Sequence, residues 1–441
     1  MEPYATRRQR LAQLVRDRGG GLVIVRTATE VARNRDSHYP FRFDSYFYYL
    51  TGFTEPDAIL VMRVDQSGHE SILFCRAKDE EREIWDGYRF GPEHARQRFG
   101  FDRAYSTDRI DQEMPGLIGD QPAVFAEVGG PHDEANRRWI EAVRAQARTG
   151  ISAPSAVWEV RKLVDEMRLI KDSHEIAVMR RAGRISAAAH VRAMKACKPG
   201  MFEYEIEAEL LHEFTRNGSQ SPAYGSIVAS GRHACVLHYR GNNAQMRAGD
   251  LLLIDAGCEL DGYASDITRT FPVSGRFEGA QRTLYDIVLA AQKAAIAVTR
   301  PGAHFNEPHD AAVRVLTQGM IDCGLISGPL DQAIESGAFR RFYMHRTSHW
   351  LGMDVHDCGD YREPGTSGAA GATRPWRTLR EGMVLTIEPG IYVRAADDVP
   401  EAFHDIGIRI EDDAWVTAGG CELLTSDVPK SSEAIEALMR G

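Results

Sequence analysis

Apolar residues in the first third of the chain come in short bunches. Leu22 to Val25 is a continuous apolar run that follows Gly19-Gly20-Gly21, the pattern of a short buried strand. Residues 5–18 mix arginines with helically spaced apolar residues and predict a surface helix that the three glycines stop. Tyr46 to Leu50, Ala58 to Arg63, Ser71 to Cys75 and Val124-Phe125 are aromatic and aliphatic and predict further strands. Gly91-Pro92 and Pro115-Gly116 read as breaks between elements. The pattern describes a mixed α/β domain.

Near residue 155 the pattern changes to the charged stretch VWEVRKLVDEMRLIKDSHE. Asp172 and Glu175 have the spacing of a helix capping box, and a long amphipathic helix is predicted from there to about Cys197. A domain boundary is placed near residue 172, dividing an α/β domain over 1–172 from a second domain over 173–441.

The second domain contains a faint repeat. One half reads helix, Lys198-Pro199-Gly200, helix, then Arg247-Ala248-Gly249 and a strand reaching Asp255. The other reads helix, Arg300-Pro301-Gly302, helix, then Arg380-Glu381-Gly382 and a strand reaching Glu388. Both acids are the sixth residue after the second glycine, and each half adds another carboxylate, Asp266 or Glu411. Two similar α+β halves about a pseudo-twofold axis, with a site in the cleft between them, are expected.

At 441 residues the chain exceeds one ordinary core, in keeping with two domains. A hydrophobic share of 43% and a charged share of 26% suit a soluble globular protein. The net charge of −10 argues against nucleic acid or an anionic membrane as the main partner. Seven scattered cysteines without a C-x-x-C pair predict free thiols in a reducing cytoplasm and no cysteine zinc site. The polar start MEPYATRRQRLAQLV lacks the apolar core of a secretory signal, and no stretch approaches the roughly 18 apolar residues of a membrane span.

The candidate chemistry is acidic. If Asp261-Gly262 are the central residues of a hairpin turn, Asp255 lies opposite Thr268 and Asp266 is its diagonal neighbour on the same face. Asp255 ends the apolar run Leu251 to Ile254, and Glu388 ends Met383 to Ile387 just before Pro389-Gly390. Carboxylates ending buried strands call for a counter-charge. Arg409 and Glu411 would share a strand face, where the arginine orients the carboxylate and holds its pKa low. His345, His349 and His356 crowd one stretch, HRTSHWLGMDVHD. Four carboxylates alone suit calcium or magnesium, and one imidazole, taken as His349, moves the preference to manganese, cobalt, iron or zinc. Two cations roughly 3.5–4 Å apart would share such a set. His238, after the loop Ser230-Gly231, either meets substrate or packs.

These residues in this order resemble the pita-bread metallopeptidases: methionine aminopeptidase, prolidase and Xaa-Pro aminopeptidase. HRTSHWLGMDVHD is similar to the Xaa-Pro aminopeptidase and prolidase branch, and RNRDSHYPFRFDSYFYYLTGFTEPDAILVM to the extra N-terminal domain of bacterial aminopeptidase P. The resemblance covers nearly the whole chain. It implies an α/β N-terminal domain with a role in oligomer contacts and substrate access, then a pita-bread catalytic domain. It implies Asp255, Asp266, His349, Glu388 and Glu411 as ligands of two divalent cations, manganese first, with Asp266 and Glu411 bridging. His238, His345 and His356 match the substrate-side histidines. Arg346 departs from the pattern, since related enzymes often carry glycine there, and bears on substrate fit near the proline pocket.

The implied reaction removes the N-terminal residue from peptides with proline second, through a hydroxide bridging the cations, with Glu388 shuttling the proton and His238 and His356 steadying the oxyanion. A dimer or tetramer is implied. A prolidase confined to Xaa-Pro dipeptides shares every ligand and is the alternative. Creatinase, which works without metal, and relatives that only bind proteins after losing ligands fit less well, because the five-residue set is intact.

Overall fold

The structure, a computed structural model, describes residues 2–365 and 374–441. The chain forms two compact units, Met1–Arg168 and Leu169–Gly441. No helix among the described residues is long and apolar enough to cross a membrane.

The first unit is built on a six-stranded mixed sheet. Gly21–Arg26 runs antiparallel to Ile59–Val64 and parallel to Ala123–Ala126. The sheet extends through His69–Cys75 to Arg103–Ser106 on one side and to Ala156–Glu159 on the other. Leu22, Ile24, Ile72, Phe74 and Val124 pack with Met114, Trp139 and Val143 from the covering helices. The leading strand is buried along almost its whole length, which is why its residues run apolar without alternation. Gly21 is required at its start: a Cβ there would lie 2.4 Å from the Ala123 carbonyl oxygen.

Three expectations change in this unit. Tyr46 to Leu50 is helix, within Ser45–Thr51, and not strand. Asp44 caps it by accepting from the Phe47 amide at 2.9 Å, and Gly52 closes it at φ 66°. The apolar run is buried on nearly every side, so it carries no period to separate helix from strand. Pro115-Gly116 does not break the chain but lies inside the helix Ile110–Ile118. The proline forgoes one amide bond to Asp111, which is exposed and can use water instead. Gly91-Pro92 opens the helix Gly91–Phe99, where a proline in the first turn costs no hydrogen bond. The first helix, Glu2–Arg16, is also more than a surface element. It buries Leu11, Ala12 and Val15, and the Arg7 and Arg8 guanidiniums donate to the Tyr49 and Leu50 carbonyls at 3.2 and 3.0 Å.

The second unit begins with the expected capping box. Asp172 accepts from the Glu175 amide and Glu175 from the Asp172 amide, both at 2.9 Å, and the helix runs Ser173–Ala196. The repeat is a repeat of hydrogen bonds as well as of letters. The Gly200 amide donates to Met246 O and the Gly302 amide to Leu379 O, both at 2.9 Å. Met246 N returns to Met201 O, and Leu379 N to Ala303 O, both at 2.8 Å. Gly249 and Gly382 then turn the chain at φ 92° and 91° into the buried strands Leu251–Asp255 and Val384–Ile387. Each half also brings a helix pair, Ser173–Ala196 with Glu203–Arg216 and Gly279–Val298 with Glu307–Asp322. Both halves share one core that includes Leu252, Ile254, Leu284, Leu385 and Ile387.

Candidate metal centre and active site

Each acidic residue sits where a strand ends or changes partner. The turn works as expected: Leu260 pairs with Tyr263 across Asp261-Gly262, and Asp255 pairs with Thr268. Asp261 and Gly262 adopt φ 50° and 80°, the left-handed values that such a tight hairpin needs. Glu388 follows Val384–Ile387. Glu411 lies between Ile406–Arg409 and Asp412–Thr417, at the point where the chain leaves one sheet for another. Its amide donates to Thr268 O at 3.0 Å, and the Thr268 hydroxyl donates to Glu411 Oε2 at 2.6 Å. That exchange ties the two halves together beside the acids. His349 is laced to the strand leading to Glu388, its amide donating to Thr386 Oγ1 at 3.1 Å.

Asp255, Asp266, His349, Glu388 and Glu411 line one cavity of about 560 Å³. Asp266, His349 and Glu411 each offer a donor atom within 4.8 Å of the others. His349 Nε2 lies 3.5 Å from Asp266 Oδ2 and 3.6 Å from Glu388 Oε1. His349 Nδ1 is 2.9 Å from its neighbour's carbonyl, Trp350 O, so Nδ1 donates and Nε2 faces the acids. The Tyr224 hydroxyl bonds Asp255 Oδ1 at 2.7 Å and also Asp266 Oδ1. One phenol proton therefore serves two carboxylates.

The electrostatics match that shortage of positive charge. Burial pushes the Glu388 carboxyl up to about 7. Burial, and then the charges of Asp266 and Glu388, push Glu411 well above the carboxylate range. Asp266 is raised, mainly by burial, although His349 opposes the shift. Burial alone would lower His349, but its contact with Asp266 and the charge of Glu388 outweigh this and carry it to about 9. Buried acids that resist ionisation are stabilised as anions by a cation. Carboxylate oxygens with one imidazole nitrogen fit a divalent cation of the manganese-to-zinc series.

Arg409 corrects one expectation. Its charge acts to lower Glu411, but burial and the neighbouring carboxylates outweigh it; its hydrogen bonds go elsewhere, Nη2 donating to Asp255 Oδ2 at 2.5 Å, Nε to Thr268 Oγ1 at 3.0 Å and Nη1 to the Tyr392 hydroxyl at 2.9 Å. The strand ends at Arg409, so the two-residue spacing no longer places both side chains on one face. Ile408, Arg409, Ile410 and Glu411 are all buried.

The other histidines line the same cavity. His345 Nδ1 is 2.7 Å from Arg346 O and Nε2 is 2.8 Å from the Tyr392 hydroxyl. A carbonyl only accepts, so Nδ1 donates and Nε2 takes the Tyr392 proton; burial depresses this histidine to about 3 and keeps it neutral. His356 stands edge-on to His349 with ring centroids 4.3 Å apart. His238 is exposed to the cavity. Tyr224, Thr268 and Tyr392 went unnoticed in the sequence as parts of the site. Thr268 was within reach of the hairpin register, whereas Tyr224 and Tyr392 carry no local signal.

Residues 177–418 match metallopeptidase family M24, and residues 4–125 match the aminopeptidase P N-terminal domain. The chain is 44% identical to an Xaa-Pro aminopeptidase of Escherichia coli over 99% of this chain and 97% of that one. The solved structure of Pseudomonas aeruginosa aminopeptidase PepP superposes with a TM-score of 0.95 at 47% identity, covering 99% of this chain and 97% of that one. A zinc-substituted Escherichia coli aminopeptidase P in complex with product matches with a TM-score of 0.95 at 44% identity, covering 100% and 98%.

Proposed function

Since the chain belongs to metallopeptidase family M24 and carries an aminopeptidase P N-terminal domain, we propose that it is a metal-dependent aminopeptidase releasing the first residue of peptides whose second residue is proline. The observation that carries this reading is the group Asp266, His349 and Glu411, three clustered donors, the two acids buried, drawn from both halves of the repeat.

Asp255, Asp266, His349, Glu388 and Glu411 would hold two divalent cations, manganese first, with zinc, cobalt and iron suited to the same donors. Bound there, the cations supply Lewis acidity to the scissile carbonyl and an acidic water to attack it. Tyr224 and Arg409 fix the oxygens of Asp255. The substrate's free amine lies toward Asp255, which limits cleavage to one residue. Glu388 takes the proton of the attacking water and delivers it to the proline nitrogen, which has no N–H of its own. His238 and His356 donate to the oxyanion or to the bound peptide. His345 acts through Tyr392, which also receives Arg409.

The substrates are Xaa-Pro peptides. The working form is a cytoplasmic dimer or tetramer without nucleic-acid or membrane partners, and the N-terminal domain supplies oligomer contacts and controls access. Metal analysis with a panel of Xaa-Pro, Xaa-Pro-Xaa and Xaa-Ala-Xaa peptides tests the reading. Two metals per chain and cleavage of Xaa-Pro-Xaa but not Xaa-Ala-Xaa are expected. Cleavage of the dipeptide alone would make the protein a prolidase.

A further inference from the structure

The cavity that gathers the carboxylates is also lined by three guanidiniums: Arg409, which is committed to Asp255, and two others, Arg240 and Arg346. These two come from different halves of the repeat. Arg240 follows the Gly231–Cys235 turn and is packed against Gly225, where an added Cβ would lie 2.7 Å from its Nη1. Arg346 precedes His349 and is braced on two sides. Its Nη2 donates to Asn306 Oδ1, and Asn306 in turn donates to Asp310 at 2.7 Å. Its Cζ lies 4.6 Å from the centroid of the Trp376 indole, a ring that Arg362 also covers at 3.4 Å. Nε and Nη1 of Arg346 have no protein acceptor among the described residues. Between Arg346 and His349, the buried Ser348 hydroxyl lines the same cavity and is likewise without a hydrogen-bond partner among the described residues.

A guanidinium held rigid with unused donors suits a carboxylate. The acids and the arginines give one cavity opposite charges, as a short peptide has an amine at one end and a carboxylate at the other. A tripeptide spans at most roughly 10 Å, and 560 Å³ lies in the range of small-ligand pockets. We propose that Arg240 and Arg346 form a carboxylate subsite that selects substrates with an anionic group on the third residue, the tripeptide Xaa-Pro-Xaa above all. This rests on the aminopeptidase reading above and adds the feature that ranks its substrates.

The test compares three peptides: Xaa-Pro-Ala with a free C-terminus, its amide, and Xaa-Pro-Asp amide. The ratio of kcat/KM for acid over amide should be about tenfold at low salt and should shrink as salt screens an accessible ion pair. The Asp amide separates the two sources: its rate matches the free acid if a side-chain carboxylate serves, and the plain amide if only the terminus does. Arg346→Gly and Arg240→Ala should each move the ratio toward one, Arg346→Lys should keep part of it, and Arg346→Glu should invert it. A merely structural role would lower all rates together and leave the ratio. Equal rates for acid and amide in the wild type would overturn the subsite alone. Cleavage of none of the three would overturn the aminopeptidase reading and the subsite with it.

Discussion

Lys171 Nζ and the Asp357 carboxylate stand 3.0 Å apart, with both side chains 1% exposed. The Lys171 amide donates to Gly382 O at 2.8 Å, just ahead of the capping box, while Asp357 directly follows His356. The ion pair thus pins the histidine loop to the start of the long helix. Removing the lysine takes its ammonium partner from a buried carboxylate, which costs about 3–5 kcal/mol. Lys171→Met should lower the urea midpoint of the second unit accordingly, and Lys171→Met with Asp357→Leu should recover much of it. A single variant as stable as the wild type would show that the pair contributes little.

Stripping metal should leave Glu388 and His349 contributing stability that falls as pH rises. Glu388 is raised from 4.5 to about 7, so between those values the folded state binds more protons than the unfolded one. The stability from its protonation is complete below 4.5 and gone above 7. His349, raised from 6.5 to about 9, acts in the same direction over its own window. Bound cations compete with these protons, so the metal-induced rise in melting temperature should grow over the same range. Melting curves with and without manganese from about pH 5 to about pH 9 check this. The readout is the difference between the two curves, because the buried neutral His190, His309 and His345 act in the opposite direction below about 6.5 with or without metal; a metal-induced rise that fails to grow with pH would contradict the prediction.

The hairpin register and the capping box were legible because both are local. Asp261-Gly262 dictates its own turn, and the alternation of strands then places Asp255 opposite Thr268. The two-half plan was legible because the glycine turns recur at the same offsets. Tyr46 to Leu50 was misread because burial on nearly all sides erases the period; only Asp44 and Gly52, the caps, distinguish helix there. Arg409 was matched to the wrong carboxylate for a tertiary reason. Its partner Asp255 is 154 positions away, and the chain crosses between sheets at Ile410. Tyr224 and Tyr392 act only through such distant contacts.

Asp266→Ala should abolish both activity and metal uptake. Asp266 faces His349 Nε2 on one side and Tyr224 on the other, and it is the proposed bridge between the cations. Losing it removes a donor from both positions at once. Metal per chain, measured after dialysis against manganese, should fall from two toward zero. Two metals retained per chain would contradict the assignment.

His238→Ala should lower turnover far more than it changes metal content. His238 lies exposed in the cavity, on the segment that follows the Gly231–Cys235 turn, and outside the group Asp266, His349 and Glu411. Its neighbour Tyr239 is anchored to the buried Glu203 at 2.9 Å, which steadies the segment without engaging the imidazole. A lost transition-state hydrogen bond costs roughly 2.7–4 kcal/mol, about a hundred- to thousandfold in kcat. Steady-state kinetics on an Xaa-Pro tripeptide together with metal analysis checks the division of roles. Loss of a metal ion would make His238 a ligand, and full turnover would make it a packing residue.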